Sequence, residues 1–339
     1  MDKLLSIQQK IVPEIFPLIL IRYQILRSVH FMQPIGRRAL ADQLRVQERK
    51  IRNEVDFLKE QQLLSSTVAG MEITQAGQII LSEMADYIRE IQGLTILEKE
   101  IAAAFPVKKV MIVPGDVDQD EMVKKDLARL TAEYLNRQLS DGSVLAVTGG
   151  TTLAEVASVL ATSATKRNIM IVPARGGLGE EVEIQANTVA ANIAKGLGAN
   201  YRLLHVPDDL GEKSIQSITE EPKIKEILEL LRQASMVLHG VGLAEEMARR
   251  RGMAPEQIVT IVERGAVGEA FGYYFAVDGS VVHSTSSVGL QLSELKLIDQ
   301  VVAVAGGRSK AAAVHAVLSN SPRDILIIDE GAATGLLEM

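Results

Sequence analysis

The chain contains no cysteine and no tryptophan, only five histidines, and no long apolar run anywhere in its 339 residues. Without cysteine there is no disulfide frame, no thiolate zinc site, no iron–sulfur cluster and no cysteine nucleophile. The histidines (His30, His205, His239, His283 and His315) lie far apart, and no pair has the i, i+4 spacing that sets two ligands on one helical face. No metal site and no cofactor are therefore expected. The longest unbroken apolar stretch, Ile15 to Ile21, has seven residues, where about 20 are needed to cross a bilayer. A cytoplasmic location is expected.

What is present describes a globular protein. Hydrophobic residues make up 47% and charged residues 23% of the chain, enough for a large core and too apolar for disorder. The length suggests two domains at roughly 150 residues each. The net charge of −7 argues at first against nucleic acid, whose phosphates need cationic partners. The charge is unevenly spread, however: residues 1–90 carry +1 and the remainder −8. Within Arg37–Arg52 six basic residues (Arg37, Arg38, Arg45, Arg49, Lys50, Arg52) face only Asp42 and Glu48, a local net of +4.

That basic segment lies in a succession of short helices. Pro34-Ile35-Gly36 ends a first helix, a second carries Leu40 and Leu44 on one face, and a third runs from about Gln47 to Gln61 with Ile51, Val55 and Leu58 inward. The order fits a helix-turn-helix, and SSTVAGMEIT after it fits a hairpin wing around Ala69-Gly70. Gln47, Arg49, Lys50 and Asn53 stand on the outward side of the third helix, where such side chains reach base edges and phosphates. Arg37 and Arg38 are placed to grip the DNA backbone. The competing reading is a three-helix protein-interaction module with a solvated basic face.

From about residue 107 short apolar strands alternate with glycine-containing turns and helices, as in KKVMIVPGD, SVLAVTGGTT, NIMIVPARGG, ASMVLHGVG, DQVVAVAGGRSK and DILIIDEG. This is the pattern of a doubly wound α/β domain built on a parallel sheet. The expected division is a winged helix-turn-helix over 1–77, a linker or dimerisation helix over 78–106, and an effector-binding and oligomerisation domain over 107–339. In the linker, Ile80, Met84, Tyr87, Ile91 and Leu94 follow a 4, 3, 4, 3 spacing. That spacing serves equally a helix packed on its own domain and a dimerisation seam.

Two strand ends share one pattern. Gly149-Gly150-Thr151-Thr152 and Gly306-Gly307-Arg308-Ser309-Lys310 each lead into a helix. Glycine lets backbone approach an anion, and the helix N-terminus attracts it. A third turn, Ala174-Arg175-Gly176-Gly177-Leu178-Gly179, offers Arg175 for a phosphate or carboxylate. Neither a P-loop nor a dinucleotide fingerprint occurs, so a phosphorylated sugar suits these turns better than a nucleotide. Gln185, Arg250 and Glu269 are further polar candidates, and Glu269 suits sugar hydroxyls. An alternative remains at this point: a sugar-phosphate isomerase or deaminase with an accessory interaction domain, using Glu269 or Asp116 as general base. No clear acid–base pair supports it.

The basic helix-turn-helix with VTGGTT, VPARGGLGE, EAFGYYF and VAVAGGRSKAAA resembles the SorC family of sugar-responsive bacterial regulators over essentially the whole chain. The resemblance implies an effector domain similar to sugar-phosphate isomerase and deaminase folds without their activity, and a DNA-binding homodimer or homotetramer. It also implies repression of a glycolytic operon and induction by fructose 1,6-bisphosphate. Carried over, the effector residues are Gly149, Gly150, Thr151 and Thr152 at one phosphate. Arg175, Gly177 and Gln185 lie nearer the sugar and the other phosphate, Glu269 meets the hydroxyls, Ser309 and Lys310 close the site, and Arg250 is a further phosphate partner.

Overall fold

Ile25, Leu26 and Val29 share one face of helix α1 (Ile15–Met32) and are essentially fully buried. In this computed structural model, which describes residues 7–8, 10–160, 168–177, 181–207, 210–320 and 323–339, they centre the core of a first unit, Met1–Thr95. By length and composition alone α1 could cross a membrane; here its apolar face is spent on that core. Helices α2 (Arg37–Leu44) and α3 (Glu48–Glu60) add Leu40, Ile51, Val55 and Leu58, and the i, i+4, i+7 spacing of the last three fixes which face of α3 turns inward. The turn between α2 and α3 is sharp because Arg45 adopts a left-handed conformation and donates its N–H to the Ala41 and Asp42 carbonyls.

The wing follows. Strands β1 (Leu64–Ser66) and β2 (Met71–Ile73) pair antiparallel, Leu64 opposite Ile73, and Ile35 bridges to Met71 as a short third strand. Its tip leaves Val68 fully exposed.

The helix expected as one piece over 78–106 is two, α4 (Gln75–Ile91) and α5 (Leu94–Ala104), broken at Gln92-Gly93 where Gly93 takes a φ of +72°. Thr74 caps α4 by accepting the Gly77 N–H. Leu81 and Ile88 of α4 are buried in the first core, with Ile80, Met84 and Ile91 packed against it. Part of the 4, 3, 4, 3 stripe thus packs on its own unit, and the two units divide between Thr95 and Ile96.

The second unit, Ile96–Met339, is built on a seven-stranded parallel sheet. Its strands are β3 (Val107–Val113), β4 (Val144–Val147), β5 (Met170–Pro173), β6 (Asn200–Tyr201), β7 (Met236–Gly240), β12 (Gln300–Ala305) and β13 (Arg323–Asp329). Helices α6 (Met122–Gln138), α7 (Thr151–Leu160), α8 (Ala186–Leu197), α9 (Glu212–Glu220) and α10 (Pro222–Arg232) are interleaved with them. The strand order β3-β13-β12-β7-β4-β5-β6 reverses direction between β4 and β7. From β4 the chain winds outward to β5 and β6, and from β7 it winds the other way, so a crevice opens at the carboxyl ends of these two neighbours.

A smaller antiparallel sheet, not expected from the sequence, stands over that crevice. Strand β8 (Gly242–Leu243) pairs with β9 (Ala266–Ala270), which pairs with β10 (Tyr273–Ala276) and then β11 (Val281–Ser284); α11 (Ala244–Arg250) and α12 (Pro255–Glu263) lie between β8 and β9. This sheet sits directly on α13 (Ala311–Asn320), because Gly268 has no side chain: a Cβ there would meet the Ala313 backbone at 2.8 Å. Helix α14 (Glu330–Leu337) ends the unit, capped by Asp329, which accepts the Ala332 N–H.

Candidate functional site

The turn after β4 rests on backbone. A Cβ on Gly149 would fall 2.4 Å from the Ile184 carbonyl oxygen, and the Gly150 N–H donates to that same oxygen at 2.8 Å. No acceptor meets the N–H groups of Thr151 and Thr152 among the described residues, so the first turn of α7 faces the crevice with its donors and positive dipole unspent. The Thr148 hydroxyl accepts the Gly240 N–H at 3.3 Å and ties this turn to the one after β7.

The cleft opens between two walls. One wall is made by the strand-end turns: Thr148–Thr152 after β4, Arg175 after β5, Gly240–Gly242 after β7 and Lys310 after β12. The other comes from α11 and the small sheet, through Glu246, Met247, Arg250, Arg251, Glu269 and Phe271. An adjoining lobe shares Thr151, Thr152, Glu246, Arg250 and Lys310 and adds Asp118, Lys124 and Ser309.

Of the sequence-predicted residues, Gly149, Gly150, Thr151, Thr152, Arg175, Arg250, Glu269 and Lys310 come together around the cleft. Ser309 lines only the adjoining lobe. Gly177 and Gln185 do not line the cleft; they stand behind its first turn, with the Gln185 amide oxygen 3.7 Å from where a Gly177 Cβ would be. Leu178 and Gly179 of the third turn lie outside the described residues. Glu269 is neither a helix end nor a loop but a residue of β9, 4% exposed. Its Oε1 accepts from Arg251 at 2.9 Å and from the Gly272 N–H at 2.5 Å. Asp116 is absent from the cleft lining; its Oδ1 accepts the amides of Asp118 and Arg308.

Several contributors were not picked out in the sequence. Arg251 makes the buried ion pair with Glu269 and also donates to the Tyr274 hydroxyl at 3.0 Å. Glu246 pairs with Arg250 at 2.7 Å. Arg175 donates to the Thr285 hydroxyl at 3.2 Å. The Lys310 ammonium makes no hydrogen bond or ion pair among the described residues, and burial lowers its pKa against the pull of Glu246. With Arg175, Arg250, Arg251 and Lys310 against Glu246 and Glu269, the cleft is cationic within an acidic unit.

Beneath it lies His239, fully buried, its ring 4.7 Å from that of Phe271. Arg323 donates through Nε to His239 Nε2 at 3.1 Å, so Nδ1 carries the proton and donates to the Gly240 carbonyl at 3.0 Å. Burial, reinforced by Arg323 and opposed by the bond to Gly240, pushes the imidazole down to about 3 from its ordinary 6.5. Between those values the unfolded chain binds a proton that the folded chain refuses, so stability falls as pH drops through this window, by at most about 1.4 kcal/mol per pH unit. Urea midpoints taken from pH 7 to pH 5 should show this slope, and His239→Asn, which keeps a donor for Gly240, should flatten it. An unchanged slope in the variant would place the titration elsewhere.

In the first unit, Gln47, Arg49, Lys50 and Asn53 are all exposed at the start and along the outer side of α3, as is Arg38 on α2. Arg37 differs from expectation: it reaches Asp56 at 3.0 Å and straps α2 to α3. Exposed pairs of this kind are weak, which leaves Arg37 able to exchange Asp56 for a phosphate. Arg22 braces α3 from α1, donating to Glu54 at 2.8 Å with its guanidinium 3.7 Å from the Phe57 ring centroid. Among the described residues no group of three or more acidic or histidine side chains is placed to hold a metal.

A winged helix with a basic, outward third helix, joined to a doubly wound domain with a cationic cleft at its switch point, defines a DNA-binding regulator with a small-ligand domain. The known proteins agree. Residues 18–88 match the CggR N-terminal DNA-binding domain, and residues 89–338 match the sugar-binding domain family. The chain is 42% identical to the central glycolytic genes regulator of Bacillus subtilis and 44% identical to that of Priestia megaterium, each over 99% of both chains. A SorC family transcriptional regulator from Enterococcus faecalis, 40% identical, superposes with a TM-score of 0.66 over 71% of this chain and 99% of its own. The chain belongs to the SorC family of sugar-binding transcriptional regulators.

Proposed function

We propose that the protein is a cytoplasmic repressor of a glycolytic operon, acting as a homodimer or homotetramer, and that fructose 1,6-bisphosphate releases it from its operator. The observation that carries this reading is the convergence of the unspent α7 N-terminus with Arg175, Arg250 and Lys310 on one cleft of an acidic unit. Gly149, Gly150, Thr151 and Thr152 hold one phosphate, Arg175 and Arg250 meet the sugar side and the second phosphate, Lys310 closes the cleft and Glu269 accepts from hydroxyls. Gly177 and Gln185 support the first turn from behind. Arg49, Lys50, Gln47 and Asn53 meet DNA in the major groove, with Arg37 and Arg38 on the backbone. The glycolytic target and the bisphosphate are supported by the relatives' names and the family resemblance.

The protein has no catalytic role in this reading. Glu269 is committed through Oε1 to Arg251 and Gly272, and Asp116 holds backbone amides, so neither is poised as a general base. The test is a thermal-shift panel of mono- and bisphosphorylated sugars, run beside operator release. Fructose 1,6-bisphosphate should raise the melting midpoint with concentration and free the operator, with monophosphates weaker. Turnover of any panel member, or indifference to every bisphosphate, would overturn the proposal.

A further inference from the structure

Two Gly-Gly turns end strands of one sheet, and they differ in what their donors hold. After β4 the N–H groups of Thr151 and Thr152 meet no acceptor among the described residues. After β12 the corresponding turn is full. The Ser309 N–H donates to Asp118 Oδ2 at 2.7 Å, and its hydroxyl to Asp118 Oδ1 at 3.0 Å. The Gly307 N–H donates to Asp329 at 2.7 Å and the Arg308 N–H to Asp116 at 3.2 Å.

Asp118 lies on the loop between β3 and α6, and Asp116 fixes it by accepting its N–H at 2.9 Å. Its carboxylate occupies the position an incoming anion would take on a glycine turn leading into a helix. The surroundings suit an anion as well. Lys310, Lys124 and Arg250 line the lobe beside it, with Glu246 paired to Arg250, and the Lys310 ammonium has no hydrogen-bond or ion-pair partner among the described residues. Glycine turn, hydroxyl and cations make an anion site filled by the protein's own carboxylates, with Asp118 on Ser309 and Asp116 and Asp329 on the two amides before it.

We infer that Asp118 is a specificity-determining carboxylate: it fills the second glycine turn and bars phosphate from it. A phosphate brought there would have to displace the Ser309 bonds and sit against a like charge at close range, where the two repel. The ligand's helix-bound phosphate is thereby confined to the turn after β4. That confinement rests on the reading proposed above; the exclusion from the second turn does not.

The experiment is titration calorimetry of the full chain with inorganic phosphate, at fixed ionic strength, on the wild type, Asp118→Ala, Asp118→Ser and Asp118→Ala/Ser309→Ala. Asp118 sits on a surface loop, so its replacement should leave the melting transition in place. The two single variants should each bind one more phosphate per chain than the wild type, with an affinity at least about tenfold above any wild-type binding at that turn. The double variant should return to the wild-type count. If the turn after β4 takes no phosphate, the count rises from none to one instead of from one to two, so failure of the earlier reading is seen separately. An unchanged count in both single variants, or a gain that survives removal of the Ser309 hydroxyl, would overturn the inference.

Discussion

Replacing Arg49 and Lys50 together by alanine should lower operator affinity at least about 100-fold, since bonds to base edges and phosphates are worth about 1–3 kcal/mol each. Both side chains are exposed on α3 while Ile51, Val55 and Leu58 hold the helix from its other side, so the change strips the DNA-facing side without opening the core. Fluorescence anisotropy on an operator duplex at several salt concentrations checks it. The slope of log affinity against log salt should also fall by about one for each phosphate left without its cationic partner. Because the unit beyond Thr95 is acidic, the slope should come mainly from the first unit. Sugar binding should be untouched. Operator binding equal to wild type would move the recognition surface off the start of α3.

Arg175→Ala should weaken the sugar phosphate about 100-fold or more while the unliganded protein still binds its operator. A bidentate, charge-assisted pair to phosphate is the strongest single interaction available there. Arg175 is 4% exposed and lies under the β9–β10 hairpin, where a Gly272 Cβ would collide with its guanidinium. Truncation therefore also loosens the wall that carries Glu269. Thr152→Ala, which deletes one hydroxyl at the mouth of α7, should cost about tenfold. The readout is the sugar concentration that releases half the operator. Joint loss of release and operator binding would indicate an unfolded variant, and unaltered release would remove Arg175 from the ligand.

Much of this site was legible in advance because its chemistry is local. Glycine pairs after apolar runs mark strand ends, and threonines after them mark a helix start, so the turn at 149–152 and Lys310 could be placed without knowing the strand order. The winged helix was legible for a similar reason: Ile51, Val55 and Leu58 give α3 its inner face, and the basic residues fall on the other. The small sheet was not, since Ala266–Ala270 is short, small and glycine-containing and has no alternation to announce a strand. Glu269 was therefore named without its setting, and Arg251 was passed over, because an ion pair across 18 residues leaves no periodic trace. The linker was legible as helix but not as two pieces. Its heptad spacing is real, but that spacing serves a helix packed on its own neighbours as well as a seam between chains. Gly93, the one glycine in the stretch, was the available sign of the break. The filling of the second turn by Asp118 depends on a loop 191 residues away in sequence, beyond the reach of any local pattern.

The strand order has a consequence for how the protein is made. Among the described residues strand β3 pairs only with β13, which also separates it from β12. During synthesis β3 emerges early and must wait, apolar and unpaired, until residues 323–329 leave the ribosome. The winged helix, complete by Ile91, has by then had time to fold by itself. The nascent chain thus acquires its DNA-reading half before its sensor exists. Ribosomes stalled short of β13 would display a regulator able to meet DNA while its sugar-responsive sheet is still open on one side.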